Sequence, residues 1–232
     1  MIGSVLTRQG LGRWLWGDHY RDAYSLTMNY PVLDLSRFRG GVEPVKMGGG
    51  YQTNSLRLEA LDERQYAMRS IDKDPTRTLP YPMNRSSFVL DIVRDGFTAS
   101  HPMSALPIPR LADAAGIYHT NPKVYYVPRQ PALGRYNDDF GDALYLVEER
   151  PNGKVWNDHP SFGRPDDVES TTDVVAKITD EQDHRIDLEA VVRARTFDLF
   201  LGDWDRHDDQ WRWAQFDQDS IDVYRPIPRD RD

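Results

Sequence analysis

The sequence predicts an α+β fold in two lobes, β-rich first and helix-rich second. Three observations carry that prediction. Leu56, Leu58 and Ala60 alternate with Arg57 and Glu59, the period of two that marks a half-buried strand. Residues 188–201 form an apolar run of helical length with Gly202 directly behind it. Apolar residues at 39% and aromatics at 11% exclude wholesale disorder, and 232 residues can bury a sizeable core.

Taken in order, residues 1–40 read as an irregular N-terminal extension that contains Trp14, Trp16, Tyr20 and Tyr24. Residues 41–150 read as the β-rich lobe. A strand over 44–47 leads into Gly48-Gly49-Gly50, and a strand over 54–61 follows. Asp62-Glu63 supplies a turn, and 65–71 resumes as a strand. Ser86-Ser87 is placed to cap a helix over 88–97, and 106–115 reads as a second helix stopped by Gly116. Short strands follow at 124–127 and 143–147, ended by Pro151. Residues 151–232 read as the helical lobe, opening with a polar loop over 152–170. Helices are expected at 173–178 and 188–201, the second burying Leu188, Val191 and Val192 with Phe197 and Phe200 further on. Strands at 212–216 and 221–224 close the chain around a turn at 217–219.

Composition removes several function classes. Thirty-seven acids against 29 bases give a charge of −8, which argues against a nucleic-acid surface. The absence of cysteine excludes disulfides, thiolate metal sites and thiol nucleophiles. No stretch reaches the ~18 apolar residues that span a bilayer. Arg8 and Arg13 interrupt the N-terminal apolar run, so no signal peptide is expected. Arg229-Asp230-Arg231-Asp232 follows a strand with no closing helix, which suggests a piece of a larger protein.

The segment densest in chemistry is 197–211. An apolar helix ends at Gly202, and Asp203, Asp205, Arg206-His207, Asp208-Asp209 and Gln210 follow before a Trp-rich strand. Acids this close repel one another unless they are solvated, paired with arginine or neutralised by a metal ion. Trp204, Trp211 and Trp213 flank them, and tryptophan is seldom left in water, so the loop is expected to pack against the core.

Gly202-Asp203-Trp204-Asp205-Arg206-His207 with Gln210 resembles the catalytic loop of the atypical kinases, which include the HipA-type, spore-coat CotH and secretory-pathway casein kinases. The resemblance touches residues 44–232. It implies a two-lobed kinase-like fold and an ATP- and Mg²⁺-dependent phosphotransferase whose acceptor is not specified. The chain also looks like the conserved non-barrel segment of Bacteroidetes outer-membrane surface-antigen proteins. That implies a bacterial, outer-membrane-associated setting in the cell envelope, with a membrane-protein partner or fused domain.

The resemblance also implies roles. Gly48, Gly49 and Gly50 would let backbone N–H groups approach phosphates, although a plain tight turn has the same composition. Arg69 stands where the family has a strand lysine, with Lys73 and Lys46 as substitutes and Asp91 or Asp95 as partners. Glu148 and Leu146 sit where a hinge would meet adenine, or at an ordinary strand end. Asp205 would be the base or positioner of the acceptor hydroxyl. His207 would orient the loop or contact phosphate, or be a structural histidine. Gln210 replaces the family's asparagine as a Mg²⁺ ligand, with Asp230 as the second ligand and Asp232 as its fallback. Asp203 would cap the helix end or pair with Arg206.

Two other functions compete. The departures at Arg69 and Gln210 fit a non-catalytic kinase-like module. The acids around His207 also fit a metal-dependent hydrolase, although His19, His101, His119, His159 and His184 show no ligand-like spacing.

Overall fold

The computed structural model describes residues 14, 17, 19–48, 54–71, 85–86, 89–90, 92–93, 96, 100–203 and 206–231. It has mixed α and β content. In chain order the elements are α1 (Arg21–Ser25), β1 (Val42–Gly48), β2 (Ser55–Ala60), β3 (Gln65–Ser70), α2 (Ile108–Ala115), β4 (Lys123–Val127), α3 (Asn137–Phe140) and β5 (Ala143–Glu149). These are followed by β6 (Asp167–Ser170), α4 (Thr171–Asp180), β7 (His184–Ile186), α5 (Leu188–Leu201), β8 (Trp211–Gln218) and β9 (Ile221–Pro228). The first five strands form one sheet in the order β1-β2-β3-β5-β4, and the last four form another in the order β6-β8-β9-β7. No helix among the described residues is long and apolar enough to cross a membrane.

Two compact units emerge. One comprises Met1–Leu58, Ala67–Ser104 and Lys123–Val147; the other comprises Glu59–Tyr66, Ala105–Pro122 and Glu148–Asp232.

In the first unit, Leu56 and Leu58 on β2 and Met68 on β3 are fully buried, as the alternating pattern requires. β4 and β5 pair antiparallel from Lys123↔Val147 to Val127↔Ala143. Phe140 packs its ring 5.8 Å from Tyr145 and 6.3 Å from Tyr136. Burial, with the charge of Asp139 added, pushes the Tyr145 hydroxyl up to about 12. Part of the irregular N-terminal segment docks on β4. Leu33 donates its N–H to the Tyr126 carbonyl at 2.8 Å, and Gln130 holds the Leu35 N–H at 2.8 Å and the Leu33 carbonyl at 3.0 Å. The described residues of the expected 88–97 helix, including Leu90, whose N–H reaches the Ser86 carbonyl, are helical.

The second unit carries β6, β7, β8 and β9 as well as α2, α4 and α5. β6 lies inside the stretch expected to be a polar loop, and the β8–β9 turn falls at Asp219-Ser220. β6 and β9 flank β8 antiparallel, while β7 joins β9 in parallel. Gly116 ends α2 and Gly202 ends α5, both in the left-handed conformation that a Cβ disfavours. Asp187 accepts the Ala190 N–H at the start of α5. The expected apolar stripe of α5 holds in part: Phe197 is buried, and Val191 packs partly buried against Val174, Trp213 and Tyr224. The buried residues of the helix are Ala194, Phe197 and Asp198, whereas Leu188, Val192, Leu199 and Phe200 are all more than 60% exposed. Ala194 and Phe197 face Ile108, Ala112 and Ile117, and Asp198 follows them inward. A second cluster joins Val174 of α4 with Trp213 and Tyr224 of the sheet.

Gly163 closes the 3₁₀ turn Pro160–Phe162 at φ +78, and the Tyr118 ring fills the space its Cβ would need. Gly163→Ala is expected to lower stability by about 1–3 kcal/mol in urea unfolding. An unchanged midpoint would contradict the packing described.

Candidate functional site

The loop after α5 is organised by a carboxylate that lies four residues before it. Asp198 is fully buried on α5. A buried carboxylate is tolerable only when it is paired and hydrogen-bonded. Arg206 reaches it with Nε at 3.1 Å and Nη2 at 3.2 Å, Arg231 with Nε at 3.0 Å and Nη2 at 2.6 Å, and Arg195 with Nη1 at 2.8 Å. Arg206 also pairs with Asp203, as expected, and donates through Nη1 to the Arg229 carbonyl. Aromatic faces cover both inner arginines, Arg206 lying over Trp211 and Arg231 over Phe197. Of the three outcomes open to crowded acids, Asp198 and Asp203 take arginine pairing.

This clamp aligns two segments. Arg229 donates its N–H to the Gln210 carbonyl at 2.9 Å and its Nη2 to the Asp209 carbonyl at 2.7 Å. Gln210 and Asp230, the two metal ligands implied by resemblance, therefore belong to backbone segments that touch. Asp230 sits at φ +60, a left-handed conformation that aspartate tolerates. Gln210 is 8% exposed, and its Oε1 accepts the His207 N–H at 3.4 Å, while its own N–H reaches the His207 carbonyl at 3.0 Å. The backbone of His207 thus closes the short turn Asp208–Gln210. Carboxamide and carboxylate oxygens are the hard donors that Mg²⁺ takes, and a carbonyl oxygen that accepts one N–H keeps a second lone pair.

The remaining expected residues are distributed as follows. Asp205, Asp232, Gly49, Gly50, Lys73, Asp91 and Asp95 lie outside the described residues. Gly48 is the last residue of β1, and among the described residues a Cβ there would meet only Ser55 Oγ at 3.9 Å. Lys46 is exposed on β1. Arg69 is half-buried near the end of β3, where Ser70 and Asn54 exchange hydrogen bonds of 2.9 and 3.2 Å. It therefore stands at the sheet end from which the glycine connection leads. These residues belong to the first unit.

Glu148 and its neighbour Glu149 belong to the second unit and are both 4% exposed. Thr120 donates to Glu148 at 2.7 Å. Glu149 accepts the Asn121 N–H at 2.6 Å and has His159 Nε2 at 3.7 Å. Burial alone would raise Glu149, but His159 and Asn121 outweigh it and hold the carboxyl below the ordinary glutamate range.

Sequence reasoning missed Asp198, Arg231 and Arg212. A lone charge inside Phe197-Asp198-Leu199-Phe200 was the available signal for the first. Arg212 is pushed down to about 10 by burial and by the neighbouring charges of Arg229 and Arg150. His184, expected to lack ligand-like neighbours, gathers with Glu181 and Asp183 so that their ligand atoms lie within 4.8 Å. Both of its ring nitrogens are already hydrogen-bonded, to Tyr224 Oη at 2.9 Å and Glu181 at 2.8 Å. No protein-family model, curated protein or solved structure matches the chain.

Asp198→Asn removes the carboxylate that Arg206 and Arg231 share, leaving Arg206 with Asp203, and should cost about 3–5 kcal/mol in urea unfolding. Arg195→Ala, whose side chain is 38% exposed, should stay within about 1 kcal/mol of the parent. Equal costs would show that burial does not govern the cluster. A second test concerns acid. Because the folded-state pKa of Glu149 is depressed, its contribution is present above the ordinary glutamate range and lost as pH falls through the folded value. Glu149→Gln should therefore flatten the fall of stability on acidification, and an unchanged slope would contradict the assignment.

Proposed function

We propose that the chain is an ATP- and Mg²⁺-dependent phosphotransferase of the atypical kinase type. The observation that supports this reading is the clamp on Asp198, which sets the loop ending in Gln210 against the segment carrying Asp230. Phosphoryl transfer depends on positioning and charge neutralisation rather than on a covalent intermediate with the protein. Gln210 and Asp230 would hold the cation, which when bound neutralises phosphate charge. Asp205, by its place in the motif, would orient the acceptor hydroxyl and accept its proton.

A second reading, a non-catalytic module that binds a nucleotide or a membrane-protein partner, is favoured by one observation. The Gln210 carboxamide oxygen is already engaged by its own loop. The hydrolase reading has less support, because Asp203 is committed to Arg206.

Calorimetry with ATP, with and without Mg²⁺, separates these readings. The phosphotransferase predicts metal-dependent binding, with turnover that falls by about 10²-fold or more in Asp205→Asn and in Asp230→Asn. Binding without turnover, indifferent to Asp205→Asn, selects the non-catalytic module. No binding under either condition contradicts both nucleotide readings.

A further inference from the structure

Arg206 and Arg231 turn the same edge of the guanidinium, Nε with Nη2, onto Asp198. Arg212 differs. It is the second residue of β8, held between Ser170 of β6 and Ile227 of β9 in the middle of the sheet, and it is 7% exposed. Its Nη1 donates to the Trp211 carbonyl at 2.8 Å and the Asp209 carbonyl at 3.4 Å. Its Nε is buried without a hydrogen-bond partner, and Nη2 makes no hydrogen bond among the described residues. Among the described residues, the edge that grips a carboxylate in two arginines of this unit has no acceptor in the third.

The surroundings add positive charge. Arg229 is 8% exposed and aims Nη2 at the same Asp209 carbonyl from 2.7 Å, so two guanidiniums converge on one oxygen. Arg150, whose Nη1 holds Gln65 at 2.9 Å, contributes a third like charge. Asp209 and Asp173 oppose them. Asp209 is exposed, and Asp173 is engaged by the Ser170 hydroxyl at 2.5 Å. Burying a guanidinium beside two others costs free energy unless an anion completes its hydrogen bonds. One carboxylate would serve Arg212 alone, whereas a tetrahedral oxyanion of higher charge serves a fork and its neighbours together.

We propose that Arg212, with Arg229 and Arg150 beside it, forms a phosphoryl-oxyanion site in which Nε and Nη2 of Arg212 take two oxygens of the anion. The site lies at the base of the Asp208–Gln210 turn. It goes beyond the phosphotransferase reading and does not rest on it.

Inorganic phosphate is the probe. Titrated into the full chain, it should raise the melting temperature saturably above sodium chloride of equal ionic strength, and the tryptophans at 211 and 213 should report the same transition. Arg212→Lys keeps a charge but loses the fork, and should weaken phosphate binding by about tenfold or more. Should Arg212→Lys fail to fold, Arg150→Gln replaces it, and weakened binding by about threefold is expected from loss of the outer charge. Phosphate and chloride curves that superimpose on the parent chain would overturn the proposal. So would unchanged phosphate affinity in the variant, and so would an equal response to acetate, which would identify a carboxylate site instead. Phosphate binding that persists where ATP with Mg²⁺ fails to bind leaves this inference standing and removes the proposed function.

Discussion

A carboxylate with no access to water cannot keep its charge alone, and that constraint orders the end of this chain. Asp198 sits on the buried face of α5 and must find cations. It finds one in the loop that follows the helix and another beyond the β8–β9 hairpin, so helix end, loop and final segment are brought to one point. The outer partner, Arg195, is nearly two-fifths exposed and adds less to the constraint. The position of Gln210 relative to Asp230 follows from this ion cluster, as does the turn that the His207 backbone closes.

The parts of the fold that were legible are those fixed by local chemistry. The alternation along β2 reads directly, because one of its faces is buried and the other is not. The bounds of α5 read directly because a left-handed glycine must end it. The pairing of Asp203 with Arg206 was legible because they stand three positions apart. What could not be read is whatever depends on distant partners. Any of 29 basic residues might have met Asp198, and the chosen ones lie 8 and 33 residues away. Of the apolar residues expected to be buried on α5, Val191 and Phe197 pack inward, whereas Leu188, Val192 and Phe200 are exposed. β6 and β7 are short and polar, and only their pairing with β8 and β9 makes them strands.

The candidate site was legible as a loop but not as an arrangement. Gln210 reads in the sequence as an amide awaiting a metal, yet its oxygen also serves the backbone of its own turn. The arginines divide in the same way. Two end on a buried carboxylate, while Arg212 reaches the same depth with its fork unmatched among the described residues. Composition gives a net negative chain, and folding nonetheless concentrates positive charge around the Asp209 carbonyl. Local charge, rather than the total, governs what such a unit binds.

The proposed phosphotransferase requires the Gln210 and Asp230 segments to form one cation-binding place. Paramagnetic broadening by Mn²⁺ with ATP, followed residue by residue in a nuclear magnetic resonance spectrum, tests this directly. The account predicts that signals from 206–210 and 229–231 broaden together at the lowest metal additions. Broadening confined to Glu181, Asp183 and His184, with the loop unaffected, would contradict it.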